Sequence, residues 1–97
     1  MQMHIYILLL ENDYYYIGES SYFLQAYQQH IDKKACDWTK LHRTITIFKV
    51  IQQTKEYTVD DCVVEYIKKY GIDKVRGGSF SDVVLSPKQL DLLSNYF

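Results

Sequence analysis

The first stretch of chain with a clear pattern is residues 3 to 10, Met-His-Ile-Tyr-Ile-Leu-Leu-Leu, which is apolar on both faces of an extended strand. A strand with one solvated face would alternate, so this one is expected at the centre of a sheet with cover on each side. Glu11-Asn12-Asp13 supplies turn residues and Tyr14 to Gly18 resumes strand composition, which predicts a β-hairpin. From Ser20 to His30 the apolar residues Phe23, Leu24, Tyr27 and Ile31 return at three- and four-residue steps, the period of a helix, with Ser20 or Ser21 available as N-cap. Thr44 to Ile51 alternates as a third strand, and Asp32 to Arg43 reads as the loop before it.

Thr58 to Tyr70 reads as a second helix. Thr58 and Asp61 have capping-box spacing, Val59, Val63, Tyr66, Ile67 and Tyr70 share a face, and Gly71 ends the run. Lys74 to Phe80, with Arg76-Gly77-Gly78-Ser79 inside it, reads as a loop. Ser86-Pro87-Lys88-Gln89 then opens a third helix to about Asn95. The expected fold is therefore a single α+β domain over residues 1–97, a small three-stranded, mainly antiparallel sheet flanked by three helices in the order β-β-α-β-α-α.

Composition narrows the function. Eleven Lys and Arg against twelve Asp and Glu leave a net charge of -1, so no whole-molecule field draws in a polyanion and any phosphate site must be local. Cys36 and Cys62 have neither disulfide-scaffold nor zinc spacing, and two free thiols fit an intracellular setting. The longest apolar run, Ile5 to Leu10, is too short to span a bilayer, and no membrane association is expected. Ten of the residues are tyrosines, whose hydroxyls require partners when buried.

Two of those tyrosines fall together in the predicted hairpin. With Glu11-Asn12-Asp13 as a three-residue loop, Leu8 pairs with Tyr16, and Tyr6 and Tyr16 become diagonal neighbours on one face with Gly18 beside Tyr6. His4-Ile5-Tyr6 and Tyr16-Ile17-Gly18, ten residues apart, resemble the two triplets that name the GIY-YIG nuclease family, with His4 where the first glycine usually stands. The likeness continues through Gln25 to His30, Trp38-Thr39-Lys40 and Tyr66 to Ser79, and looks like a branch common in large DNA viruses. It implies an endonuclease domain that hydrolyses DNA phosphodiesters with one Mg2+ or Mn2+ ion and tyrosine-assisted activation of water. In a chain of 97 residues target specificity would come from a protein partner or would be low.

The resemblance assigns roles residue by residue. Tyr6 and Tyr16 stand at the tyrosine positions, with packed core as their alternative role. His30 stands at a helix-end position suited to accepting a proton or contacting phosphate, or else to being a cation at a helix C-terminus. The family arginine one turn earlier falls on Ala26, which carries no charge. The usual metal-binding glutamate falls on Val63 or Val64, which leaves Asp60 as the metal candidate, unless Asp60 only complements its helix N-terminus. Glu19 adds negative charge where a lysine is common. Arg76 before two glycines, with Lys40 and Arg43, is the candidate phosphate contact, and Trp38 with Lys40 a candidate stacking surface for a single strand. The departures at Ala26, Glu19 and the displaced acid define the alternative function, a catalytically impaired module of the same fold that binds nucleic acid or a protein.

Overall fold

Strand β1 (His4–Leu10) is buried along most of its length because both of its neighbours in the sheet and both covering layers close over it. In the computed structural model, which describes residues 2–97, β1 lies between β2 (Tyr15–Ser20) and β3 (Thr44–Gln52), antiparallel to each. The connection from β1 to β2 is the three-residue turn Glu11–Asp13. Asn12 and Asp13 take left-handed backbone angles there (φ 60° and 61°), which short polar side chains tolerate, and Leu10 N–H closes the turn on the Tyr14 carbonyl at 2.8 Å. Leu8 faces Tyr16 and Tyr6 faces Gly18, the register expected from the sequence.

Two segments depart from expectation. Val75–Gly77, read as loop, forms strand β4, which pairs parallel with Tyr15–Ile17 of β2. The sheet is therefore four-stranded and mixed, in the order β3-β1-β2-β4. Three residues give too short an alternation for the period of a strand to show. Likewise Asp37–Leu41 is a short helix, α2, inside the segment read as loop. Its five residues are fewer than two turns, and tertiary contacts through buried Trp38 and Thr39 hold it in place.

The first helix, α1, runs Phe23–Ile31 with Tyr22 at its N-cap and no side-chain cap, so the Ser20 or Ser21 cap is not formed; Ser20 Oγ accepts instead from Tyr22 N–H at 2.9 Å. Its inward face also differs. Leu24, 65% exposed, and Ile31 point outward, whereas Phe23, Ala26, Tyr27 and His30 turn toward the sheet. A long apolar side chain at helical spacing is an ambiguous marker when the inward face carries an alanine and a histidine.

Helices α3 (Val59–Tyr70) and α4 (Pro87–Ser94) begin with the capping boxes expected at Thr58/Asp61 and Ser86/Gln89, and Gly71 ends α3 at φ 101°. They cover the opposite face of the sheet. Ile5, Ile7 and Ile17 pack there against Val63, Ile67, Phe80 and Leu93, while Tyr6, Leu8 and Leu10 pack on the α1 side around Trp38. Each burial of a large aliphatic side chain contributes about 1.5–3 kcal/mol. Among the described residues no helix is long and apolar enough to cross a membrane.

Candidate active site

The shortness of β4 creates the site. Its pairing with β2 stops at Ile17 and Gly77, the chain then turns away through Gly78 at φ 51°, and the last residues of β2, Gly18 and Glu19, are left beside a cleft. That cleft, about 450 Å³, is walled by Tyr6, Tyr16, Gly18 and Glu19 from the hairpin, Val59 and Asp60 from the start of α3, and Gly78 and Ser79 from the loop. A second hollow of about 280 Å³ adjoins it through the same two tyrosines and is lined by Ala26, Gln29, His30, Ala35 and Cys36.

Strand alternation puts Tyr6 and Tyr16 on the α1 face, with ring centroids 6.4 Å apart. Gly18 is required by this arrangement. The Tyr6 ring lies across its Cα, and a Cβ there would run into the phenol carbon and oxygen. Gly78 likewise admits the Asp60 carboxylate where a side chain would collide with it.

His30 is reached from both tyrosines. Tyr6 Oη is 3.1 Å from Nε2, the Tyr16 ring is 4.6 Å from the imidazole, and Nδ1 is 2.8 Å from the Thr39 hydroxyl of α2. The ring is 3% exposed, and burial depresses its pKa from 6.5 to about 4, so it is a neutral imidazole at physiological pH. The alternative of a helix-terminal cation is therefore not realised. Burial also raises Tyr6, to about 12, with the neighbouring Cys36 thiol adding to the effect, and raises Tyr16 further still. Neither phenol is ionised near neutrality. Tyr6 is only 4% exposed and lines both the cleft and the adjoining hollow.

The depressed His30 pKa has a consequence for stability. Because the folded pKa lies below the unfolded one, the unfolded chain binds the proton first as pH falls. The His30 contribution is complete above pH 6.5 and is lost as pH drops toward 4, amounting to about 3 kcal/mol in all. Urea midpoints at pH 7 and pH 4.5 should therefore fall more steeply in the wild type than in His30→Gln, which cannot titrate. Equal slopes would contradict the buried neutral ring.

Asp60 faces the cleft with its carboxylate held in place, accepting from Ser79 N–H at 2.8 Å and from Ser79 Oγ–H at 2.7 Å. Magnesium-like ions are commonly held by one or two carboxylates together with water and substrate phosphate, so Asp60 and Glu19 are chemically suited to such an ion. Among the described residues no group of three or more His, Cys, Asp or Glu side chains comes together as a metal cage. Val63 and Val64 are buried in the core. Glu65 accepts from the Tyr57 hydroxyl and does not line the cleft.

The expected phosphate contacts lie elsewhere. Arg76 is 6% exposed, and its guanidinium donates to the carbonyls of Ile72, Val75, Asp82 (2.8 Å) and Val83 (3.0 Å) while its plane lies over Trp38. It clamps the segments on either side of β4 and lines neither the cleft nor the adjoining hollow. Trp38 is buried, donating from Nε1 to the Tyr15 carbonyl at 2.9 Å, so it offers no stacking surface. Lys40 pairs with Asp37 at 3.8 Å and Arg43 with Glu11 at 3.9 Å, and neither lines the cleft or the adjoining hollow. Among the described residues, no lysine or arginine lines these two spaces.

Thr39, Ser79 and Gln29 lie inside the stretches that carry the resemblance, but none receives a catalytic, phosphate or metal role from it; Thr39 reaches His30 across nine positions and Ser79 holds Asp60, contacts that no local spacing signals. No family model, curated protein or solved structure matches this chain at a significant level.

Proposed function

We propose that the chain is a GIY-YIG-type endonuclease domain that hydrolyses DNA phosphodiesters with a divalent metal ion. The observation that carries this reading is the hydrogen bond between Tyr6 and a buried neutral His30 beside a cleft that also holds Asp60. A phenol with a pKa near 12 is not a phenolate at neutral pH. Tyr6 therefore acts as a relay: it takes a proton from the attacking water as its own proton passes to His30 Nε2. Tyr16, against the imidazole ring, shapes the same wall. Asp60, with Glu19, would hold the Mg2+ or Mn2+, and a bound ion would supply positive charge toward phosphate oxygens. The protein would work in the reducing interior of a cell, where Cys36 and Cys62 persist as free thiols.

That no lysine or arginine is among the described residues lining the cleft and the adjoining hollow favours a second reading, a catalytically impaired module of this fold that binds nucleic acid or a protein partner. Ala26 lines the hollow beside Tyr6 and His30, where a positive charge would meet charge developing on the phosphate. Supercoiled plasmid incubated with Mg2+, with Mn2+ and with chelator separates the two. Metal-dependent nicking by the wild type supports the endonuclease, and Ala26→Arg should then raise the rate by about 100-fold. An inert wild type with an active Ala26→Arg supports the impaired module. If neither cuts and neither binds DNA, the nucleic-acid reading is wrong.

A further inference from the structure

Thr39 stands, fully buried, between His30 and the backbone of its own helix. Its Oγ1 is 2.8 Å from His30 Nδ1 and 3.3 Å from the Cys36 carbonyl oxygen, which can only accept. A hydroxyl has one proton. With that proton on the carbonyl, Thr39 offers His30 its lone pairs, so Nδ1 must carry a hydrogen and Nε2 must be bare. Nε2 then accepts from the Tyr6 hydroxyl at 3.1 Å. The reverse arrangement would turn the Thr39 proton toward Nδ1 and leave the Cys36 thiol, 3.5 Å from Oγ1, as donor in its place. A thiol is a weak donor, and Tyr6 would then receive a hydrogen bond from the ring and could not pass a proton to it.

We propose that Thr39 is a positioning residue that locks His30 in the Nδ1–H tautomer, so that Tyr6 holds its proton on the histidine side and turns its lone pairs to the cleft. The catalytic meaning of this lock rests on the endonuclease reading, whereas the lock itself does not. In hydrolysis the water oxygen bonds to phosphorus and the bond from phosphorus to the leaving sugar oxygen breaks. One water proton goes to Tyr6 Oη and the Tyr6 proton goes to His30 Nε2, giving an imidazolium whose Nδ1–H remains on Thr39. The leaving oxygen takes a proton from solvent, and His30 later returns its extra proton to Tyr6 Oη as the Tyr6 hydroxyl gives one up to water in the cleft. Without Thr39 the ring is free to place its hydrogen on Nε2, which blocks the transfer.

The test is ring 15N NMR of histidine-labelled protein near pH 7, in the wild type, Thr39→Ser and Thr39→Val, alongside single-turnover DNA cleavage. The wild type and Thr39→Ser should show His30 with Nδ1 protonated and Nε2 bare. Thr39→Val should shift the ring toward Nε2–H and lower the single-turnover cleavage rate by about 10- to 100-fold with DNA binding unchanged, and Thr39→Ser should restore activity. A wild-type ring with Nε2 protonated, or ring shifts unaltered in Thr39→Val, would overturn the assignment. If Thr39→Val does not fold, the wild-type spectrum decides. Should the wild type cleave nothing, the endonuclease reading fails while the spectrum still settles the tautomer.

Discussion

Arg76→Met should destabilise the protein by about 4 kcal/mol, because it removes charge-assisted hydrogen bonds and leaves the Asp82 and Val83 carbonyls without their donor. For a chain of 97 residues that is a fall in Tm of about 20 °C. Methionine keeps much of the volume over Trp38, so the loss reads out the polar clamp and not a cavity. The size of the effect follows from burial, since a guanidinium withdrawn from water must be repaid by several well-placed acceptors, and four carbonyls converge on this one. A phosphate contact would behave in the opposite way. Its loss would leave Tm nearly unchanged, weaken DNA binding and flatten the salt dependence by about one phosphate's worth. Thermal unfolding of wild type and variant distinguishes the two roles of Arg76.

How far the fold could be read from the sequence follows the length of each pattern. β1 has seven residues and α3 has twelve, long enough for apolar runs, capping boxes and a terminal glycine to agree, and each forms where expected. β4 has three residues and α2 five, and both owe their existence to neighbours: β4 to its ladder with Tyr15–Ile17, α2 to the burial of Trp38 and Thr39. The site divides in the same manner. The facing of Tyr6 and Tyr16 follows from strand alternation and one loop length, both local quantities. The engagement of Arg76 with backbone carbonyls is not legible locally, because a charged side chain before paired glycines looks the same whether it meets solvent or carbonyls, and that choice depends on where residues 82 and 83 come to rest. The local ion pairs of Lys40 with Asp37 and Arg43 with Glu11, and their absence from the lining of the cleft and hollow, are likewise set by where their segments settle and not by any local pattern. Thr39 acts through a contact nine residues distant in a segment whose periodicity was too short to see.

The second large effect is expected at the centre of the site. Tyr6→Phe keeps the ring that packs across Gly18 and removes only the hydroxyl that bonds His30. The fold should survive with a loss of about 1–2 kcal/mol, because Nε2 is left without its donor. On the proposed endonuclease reading, the single-turnover rate of hydrolysis should fall by about 100- to 10,000-fold with DNA binding little changed, the pattern expected of a group that moves a proton in the transition state. Single-turnover cleavage of plasmid by wild type and Tyr6→Phe, each with Mg2+ and then with chelator, tests most directly whether the Tyr6–His30 pair does chemistry. The account predicts metal-dependent cutting by the wild type and almost none by the folded variant. Cutting by Tyr6→Phe within a few-fold of wild type would contradict it.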